Sequence, residues 1–169
     1  STILHAGTEE QKQSLLPQIV GGEKRVALAC DEGFHHQPTA VATTAVHEGD
    51  TYVLNGKKMR VIDGISADLF IVTARTAGKP GDTQGISIFL VDASTAGISI
   101  EKTTLIDSRN YAHIAFNNVC IPASHLLGEP HNGFSALDRA LDLGRICLSA
   151  EMFGGMQEIF ERTVQYLKE

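Results

Sequence analysis

The sequence predicts an α+β protein: an antiparallel β barrel of about seven or eight strands, with a short helical lead-in and one long C-terminal helix. Three observations predict it. Apolar residues alternate with period two in short runs between residues 24 and 122. Beyond them, Leu137, Leu141, Leu148, Met152, Met156, Phe160, Val164 and Leu167 recur at helical steps. The 169 residues, 43% of them apolar, hold enough interior for one barrel and part of a second domain. This divides the chain into a helical end segment (1–23), the barrel (24–126) and the first long helix of a further helical domain (127–169).

Thr8 followed by Gln11 reads as a capping box that opens a helix. Leu15, Leu16, Ile19 and Val20 give that helix an apolar flank, Pro17 predicts a kink or restart, and Gly21-Gly22 ends it. Arg25-Val-Ala-Leu-Ala-Cys30 is a short strand. Asn55-Gly56, between Tyr52-Val-Leu54 and Lys57-Lys-Met59, predicts a two-residue type I′ hairpin turn. Leu69-Phe-Ile-Val-Thr-Ala-Arg75 has the continuous apolar run of a strand buried on both faces. After a polar Gly/Pro loop, 76–84, alternation resumes at Ile86, Ile88 and Leu90, at Ile98 and Ile100, and at Ile114 and Phe116. Such strands predict a closed barrel, because an open sheet leaves edges exposed. Asp107-Ser108-Arg109 reads as a solvated turn or as part of the barrel mouth.

The terminal helix, roughly 35 residues, spans about 50 Å, whereas a compact domain of this length is about 40 Å across. Its apolar face therefore asks for partners from further chain or another subunit, and the chain reads as a piece of a larger protein. Gly154-Gly155 weakens helix propensity by about 1 kcal/mol per glycine, which predicts a close backbone neighbour or a bend. Cys147 reads as a packing residue.

With 14 Lys+Arg against 20 Asp+Glu, a net charge of −6, there is no basic face for nucleic acid. No apolar run reaches the ~20 residues of a membrane span, and Ser1 opens on no secretory leader. Cys30, Cys120 and Cys147 form no CxxC pair, which points to free thiols and a cytoplasmic setting. The 7 histidines show no metal-ligand spacing, so no metal is expected. Neither a GxGxxG nor a phosphate-binding loop of the Walker type is present.

An ordered series of stretches carries a resemblance over nearly the whole chain. Gly7-Thr-Glu-Glu-Gln-Lys12, Tyr52-Val-Leu-Asn-Gly-Lys-Lys58, Ala67-Asp-Leu-Phe-Ile-Val-Thr-Ala-Arg75, Gly85-Ile-Ser-Ile-Phe-Leu-Val-Asp92, Ile114-Ala-Phe-Asn-Asn-Val-Cys-Ile-Pro122 and Leu141-Asp-Leu-Gly-Arg145 resemble acyl-CoA dehydrogenases, through their middle domain and its flanks. The resemblance implies a flavoprotein that oxidises the Cα–Cβ bond of an acyl-CoA thioester. In that family a carboxylate removes the α proton and the β hydrogen leaves as hydride to FAD, against which the middle barrel forms a wall.

Where the family's flavin-facing strand reads Thr-Glu-Pro and then Gly-Ser-Asp, this chain reads Cys30-Asp-Glu-Gly-Phe-His-His-Gln-Pro38. Counting back from Thr43 places Cys30 and Asp31 at the Thr and Glu positions, and His36 where the serine stands. His36 is then a donor to the cofactor or a solvated loop residue. The main-chain amides of Ala29 and Cys30 survive the side-chain changes and are the better candidates. The return strand normally carries a tryptophan against the flavin and a hydroxyl near it; here Arg60 and Ile62 stand in those places. A guanidinium can stack on a flavin or pair with phosphate; a solvated arginine is the other reading.

The long helix has Gly144 where one branch of the family has its catalytic Glu, and the other branch places the base beyond Glu169. No catalytic residue is therefore assigned. Arg145, a cation amid the apolar stripe, matches an arginine near the family's active site and is the substrate-binding candidate. A non-catalytic binding or assembly subunit built on the same barrel is the alternative.

Overall fold

The computed structural model describes residues 1–107 and 109–169. Helices α1 (Thr2–Ala6) and α2 (Glu9–Val20) precede strands β1 (Val26–Ala29), β2 (Thr44–Glu48), β3 (Thr51–Ile62), β4 (Leu69–Arg75), β5 (Ile86–Asp92), β6 (Ile98–Thr104) and β7 (Asn110–Pro122). A 3-10 turn (Ala123–His125) leads into β8 (Leu126–Leu127), and α3 (Phe134–Tyr166) ends the chain. The eight strands form one mostly antiparallel sheet in the order β6-β7-β3-β2-β4-β5-β8, with β1 added on β4. The β1–β4 and β2–β4 pairings are parallel.

The sheet folds over on itself. Leu54 of β3, Phe70 of β4, Phe89 of β5 and Ile114 of β7 meet in one core, where the rings of Tyr52 and Phe89 lie 4.9 Å apart. Among the described residues no ladder joins the edge strands β6 and β8, so the predicted barrel is wrapped but not closed by hydrogen bonds. Strand β4 is buried along its whole length, as its apolar run predicts. Phe70, Val72 and Ala74 enter the barrel core, while Leu69 and Ile71 face a second layer with Ile3, Leu127 and Leu137. Leu15, Leu16 and Ile19 of α2 join that layer.

The capping box forms in both directions: Gln11 N donates to Thr8 Oγ1 (3.2 Å) and Thr8 N to Gln11 Oε1 (2.9 Å). Helix α2 runs unbroken through Pro17. The carbonyl that loses its partner belongs to Gln13, an exposed residue, so the loss falls on a solvated face.

Asn55-Gly56 does not turn the chain. The hairpin reverses at 49–50, with Gly49 at φ 59°, and Asn55-Gly56 lies inside β3 at a register shift against β7. Gly56 adopts φ 146°, and a Cβ there would lie 2.5 Å from Thr43 Oγ1 and 2.6 Å from Thr43 Cα. The dipeptide marked a backbone that only glycine tolerates, and a bulge with a close strand uses that freedom as well as a turn does. Gly56→Ala should cost about 1–3 kcal/mol, read as a lower denaturant midpoint; an unchanged midpoint would contradict this packing.

Helix α3 touches the second layer only through its first turns, and Leu137 is its one buried residue among those described. Leu143, Ile146, Met152, Phe153, Met156 and Phe160 are exposed, and a Cβ on Gly154 or Gly155 would meet nothing. The helix outruns the sheet, as its length predicts. Among the described residues no helix is long and apolar enough to cross a membrane.

Candidate functional site

Strand β1 ends against the bulged half of β3, and the chain leaves it as a loop, residues 30–43. Four expected cofactor residues, Cys30, His36, Arg60 and Ile62, line one cleft of about 230 Å³ there, with Leu28, Asp31, Met59, Val61 and, from α3, Leu141. Ala29 does not line it. The whole residue is buried, its side chain in the barrel core and its main chain in the β1–β4 ladder, so the amide expected to face a cofactor is covered in this structure.

A buried cation holds the loop in place. Lys58, at the inward parity of β3 with Tyr52 and Leu54, has a side chain with no solvent exposure. Its Nζ donates to Glu32 Oε1 (2.6 Å), Thr73 Oγ1 (3.0 Å) and the Cys30 carbonyl (3.4 Å). Glu32 also accepts from the amides of Ala42 (2.8 Å) and Thr43 (3.0 Å), so both ends of the loop are tied to one ammonium. Burial pushes the Glu32 carboxyl up, but Lys58 and the amide donors outweigh it and leave the group below the usual carboxylate range. Burial also pulls the Lys58 ammonium down, which Glu32 only partly offsets. The inward lysine was a signal readable in the strand's alternation; its partner, 26 residues earlier, was not.

Over this anchor, Met59 N donates to the Asp31 carbonyl (2.8 Å). Asp31 Oδ2 lies 2.8 Å from His36 Nδ1 and 3.8 Å from Cys30 Sγ, and Oδ1 accepts from Gln37 N (3.1 Å). Burial first, and then the Asp31 charge, push the Cys30 thiol up to about 12, so it is a thiol and not a thiolate at neutral pH. Arg60 sits at φ 51° in the second register shift of β3. That turn sends its guanidinium to the rim, where Nη2 donates to the Gly33 carbonyl (2.7 Å) and Cζ stands 5.9 Å from the Phe34 ring centre. In this structure it clamps the loop. Ile62 offers an apolar, half-exposed surface at the other end.

Arg145 is not brought into the cleft. It lies one turn beyond Leu141 on the same helix face, but its side chain is 51% exposed and pairs with Asp142 and Asp138. Among the described residues its ion-pair partners are acids of its own helix, and beyond Leu141 no residue of α3 is buried. Cys147, expected to pack, is exposed as well. Gly144 carries no carboxylate, and Asp31 is the only acid lining the cleft among the described residues. In the Asp107 turn, Asp107 accepts from Tyr111 Oη (2.8 Å) and Arg109 N (3.2 Å), which is the solvated-turn reading; Ser108 lies outside the described residues.

Sequence reasoning missed a second buried cation. Arg75, 6% exposed, donates to the carbonyls of Val41 (3.2 Å), Thr39 (3.0 Å), Asp82 (3.0 Å) and Gln84 (2.8 Å). It ties the far end of the same loop to the segment between β4 and β5.

Residues 30–119 match the family profile described as acyl-CoA dehydrogenase, middle domain. The chain is 37% identical over 171 residues to the 3-(aryl)acrylate reductase of Clostridium sporogenes, covering 98% of this chain and 45% of that protein. It is 32% identical over 171 residues to an acyl-CoA dehydrogenase of Bacillus subtilis, covering 99% and 45%. The chain thus spans about half the length of these curated relatives. Among solved structures it is similar to butyryl-CoA dehydrogenase from Megasphaera elsdenii, with TM-score 0.79 and 33% identity over 86% of this chain and 39% of that one.

Proposed function

The chain belongs to the acyl-CoA dehydrogenase family, and on that premise we propose that it supplies one wall of the flavin site in an enzyme acting on the Cα–Cβ bond of acyl-CoA thioesters. Residues 24–126 are the middle domain in this reading, with 1–23 and 127–169 contributing to flanking helical domains. The observation that carries it is the convergence of Cys30 and His36, on the loop after β1, with Arg60 and Ile62, on β3, on one cleft. FAD, when bound, supplies the two-electron acceptor for a hydride leaving the substrate.

The chain's own residues bind and orient. Met59 and Ile62 give an apolar face that keeps water from one side of a planar ring. The main-chain amide of Cys30 and the imidazole of His36 offer polar contacts at its edge. Arg60 fixes the rim and adds positive charge. At about 230 Å³ the cleft is smaller than the roughly 300–1,000 Å³ of complete small-molecule sites, so it takes one edge of the cofactor and the remainder rests on other surfaces. Asp31 is engaged by His36 and Gln37, and Gly144 offers no base, so abstraction of a substrate proton falls to residues elsewhere in the assembled enzyme. Arg145 is assigned to the substrate side, and the exposed face of α3 to packing against further helices or a second subunit. Three unpaired thiols suit a cytoplasmic setting. Whether the hydrogen is removed or added is not set by this wall: one relative is called a dehydrogenase and another a reductase.

The test is titration of the chain with FAD, followed by flavin fluorescence and visible circular dichroism. Wild type should perturb both signals. Ile62→Asp and Arg60→Ala should weaken binding by about tenfold, or 1.4 kcal/mol, without lowering the melting temperature. Flavin signals that ignore the chain, or an affinity indifferent to Ile62→Asp, would reject the cleft. Gly144 favours the second reading, an assembly subunit without catalysis; acyl-CoA binding that persists in the absence of any flavin signal would select it.

A further inference from the structure

We propose that Cys30, Asp31 and His36 form an open three-donor site for a thiophilic divalent cation of the zinc class. The sequence hides it, because the spacing Cys-Asp-x4-His matches no standard ligand pattern. The tether between Glu32 and Lys58 folds the loop so that a sulfur, a carboxylate oxygen and an imidazole nitrogen all lie within 4.8 Å of one another.

The separations suit a tetrahedral ion. With bonds of about 2.0–2.3 Å, ligand atoms around zinc stand roughly 3.3–3.6 Å apart. Cys30 Sγ and Asp31 Oδ2 are 3.8 Å apart, and His36 Nδ1 and Asp31 Oδ2 are 2.8 Å apart. A small swing of His36, about half exposed on its loop, admits the ion between them. The charge also balances: a thiolate and a carboxylate with a neutral imidazole match one dication, the thiol losing its proton to solvent as the bond forms. Lys58 does not repel the ion with a bare charge, since Glu32 sits 2.6 Å from its ammonium.

Support behind the donors is in place. Asp31 Oδ1 accepts from Gln37 N, and the Cys30 carbonyl is held by Lys58 and by Thr73 Oγ1 (3.5 Å), so two of the three ligands are oriented before any ion arrives. The fourth position opens on the cleft shared with Met59 and Arg60, where a water or a ligand atom completes the shell. The site takes the His36 imidazole that the flavin reading also uses, so His36 serves one ligand at a time, and the proposal does not rest on that reading.

The experiment titrates chelator-stripped protein, free of flavin, with Zn²⁺ against a chromophoric chelator, and repeats it with Co²⁺. One equivalent should bind, and Co²⁺ should show a thiolate charge-transfer band. His36→Ala and Asp31→Asn should each weaken binding at least about tenfold, and Cys30→Ser should abolish the band. The double variant Cys120→Ser/Cys147→Ser, which changes only the exposed thiols, should bind like wild type. Absence of stoichiometric binding, an affinity unaffected by His36→Ala, or loss of the band in the double variant would overturn the site. If Cys30→Ser fails to fold, His36→Ala decides the matter alone, because that residue sits on an exposed loop and its folding is checked by circular dichroism.

Discussion

Lys58→Met destabilises the fold by about 3–5 kcal/mol at neutral pH, read from the denaturant midpoint. Truncating one partner of a buried ion pair leaves the other charge uncompensated, and losses of this size follow. The Lys58 side chain has no exposure and that of Glu32 only 11%. Without the ammonium, Glu32 keeps only its amide donors. Its carboxyl, now dominated by burial, takes up a proton more readily than in the unfolded chain. The pH dependence therefore changes sign. In wild type the carboxyl lies below its ordinary range, so its contribution is present above that range and fades as pH falls through the lowered folded value. In the variant, acidification neutralises the stranded charge and the deficit narrows. The double variant Lys58→Met/Glu32→Gln should regain part of the loss. A deficit below about 1 kcal/mol, or one independent of pH, would contradict the anchor.

Arg75→Met removes about 2–4 kcal/mol and frees the 77–85 segment to proteases. Four carbonyls lose their donor together, each worth about 0.5–1.5 kcal/mol net. Among the described residues no acidic side chain bonds the guanidinium directly; backbone dipoles from two loops solvate it. Arg75→Lys should rescue little, since one compact ammonium cannot reach carbonyls spread around a planar fork. Wild-type resistance to cleavage in Arg75→Lys would show that charge alone suffices, against this account.

These two cations mark where local reading stopped. The capping box at Thr8, the fully buried run ending at Arg75 and the helical stripe of α3 were legible because each is a periodicity or a pairing within a few residues. Asn55-Gly56 was misread for an informative reason. The dipeptide reports a tolerated backbone angle, and the same angle serves a hairpin or a bulge, a choice made by Thr43 packing across the strand. Cys147, expected to pack, is exposed because an apolar stripe on a helix says which face seeks cover, not whether this chain provides it. The Cys30, Asp31 and His36 donors went unseen because spacing along the chain does not give distance once a loop is tied down.

By itself the sequence determined the α+β class, the succession of strands and helix, and the helix longer than the sheet beneath it. Only the tertiary structure decided how the sheet folds over without closing, that a lysine on β3 and a glutamate on the loop neutralise each other inside it, and that this pair shapes the cleft. The physical reason is range. Hydrophobic periodicity is written residue by residue, whereas a buried charge is stable only beside a partner that folding brings from elsewhere in the chain.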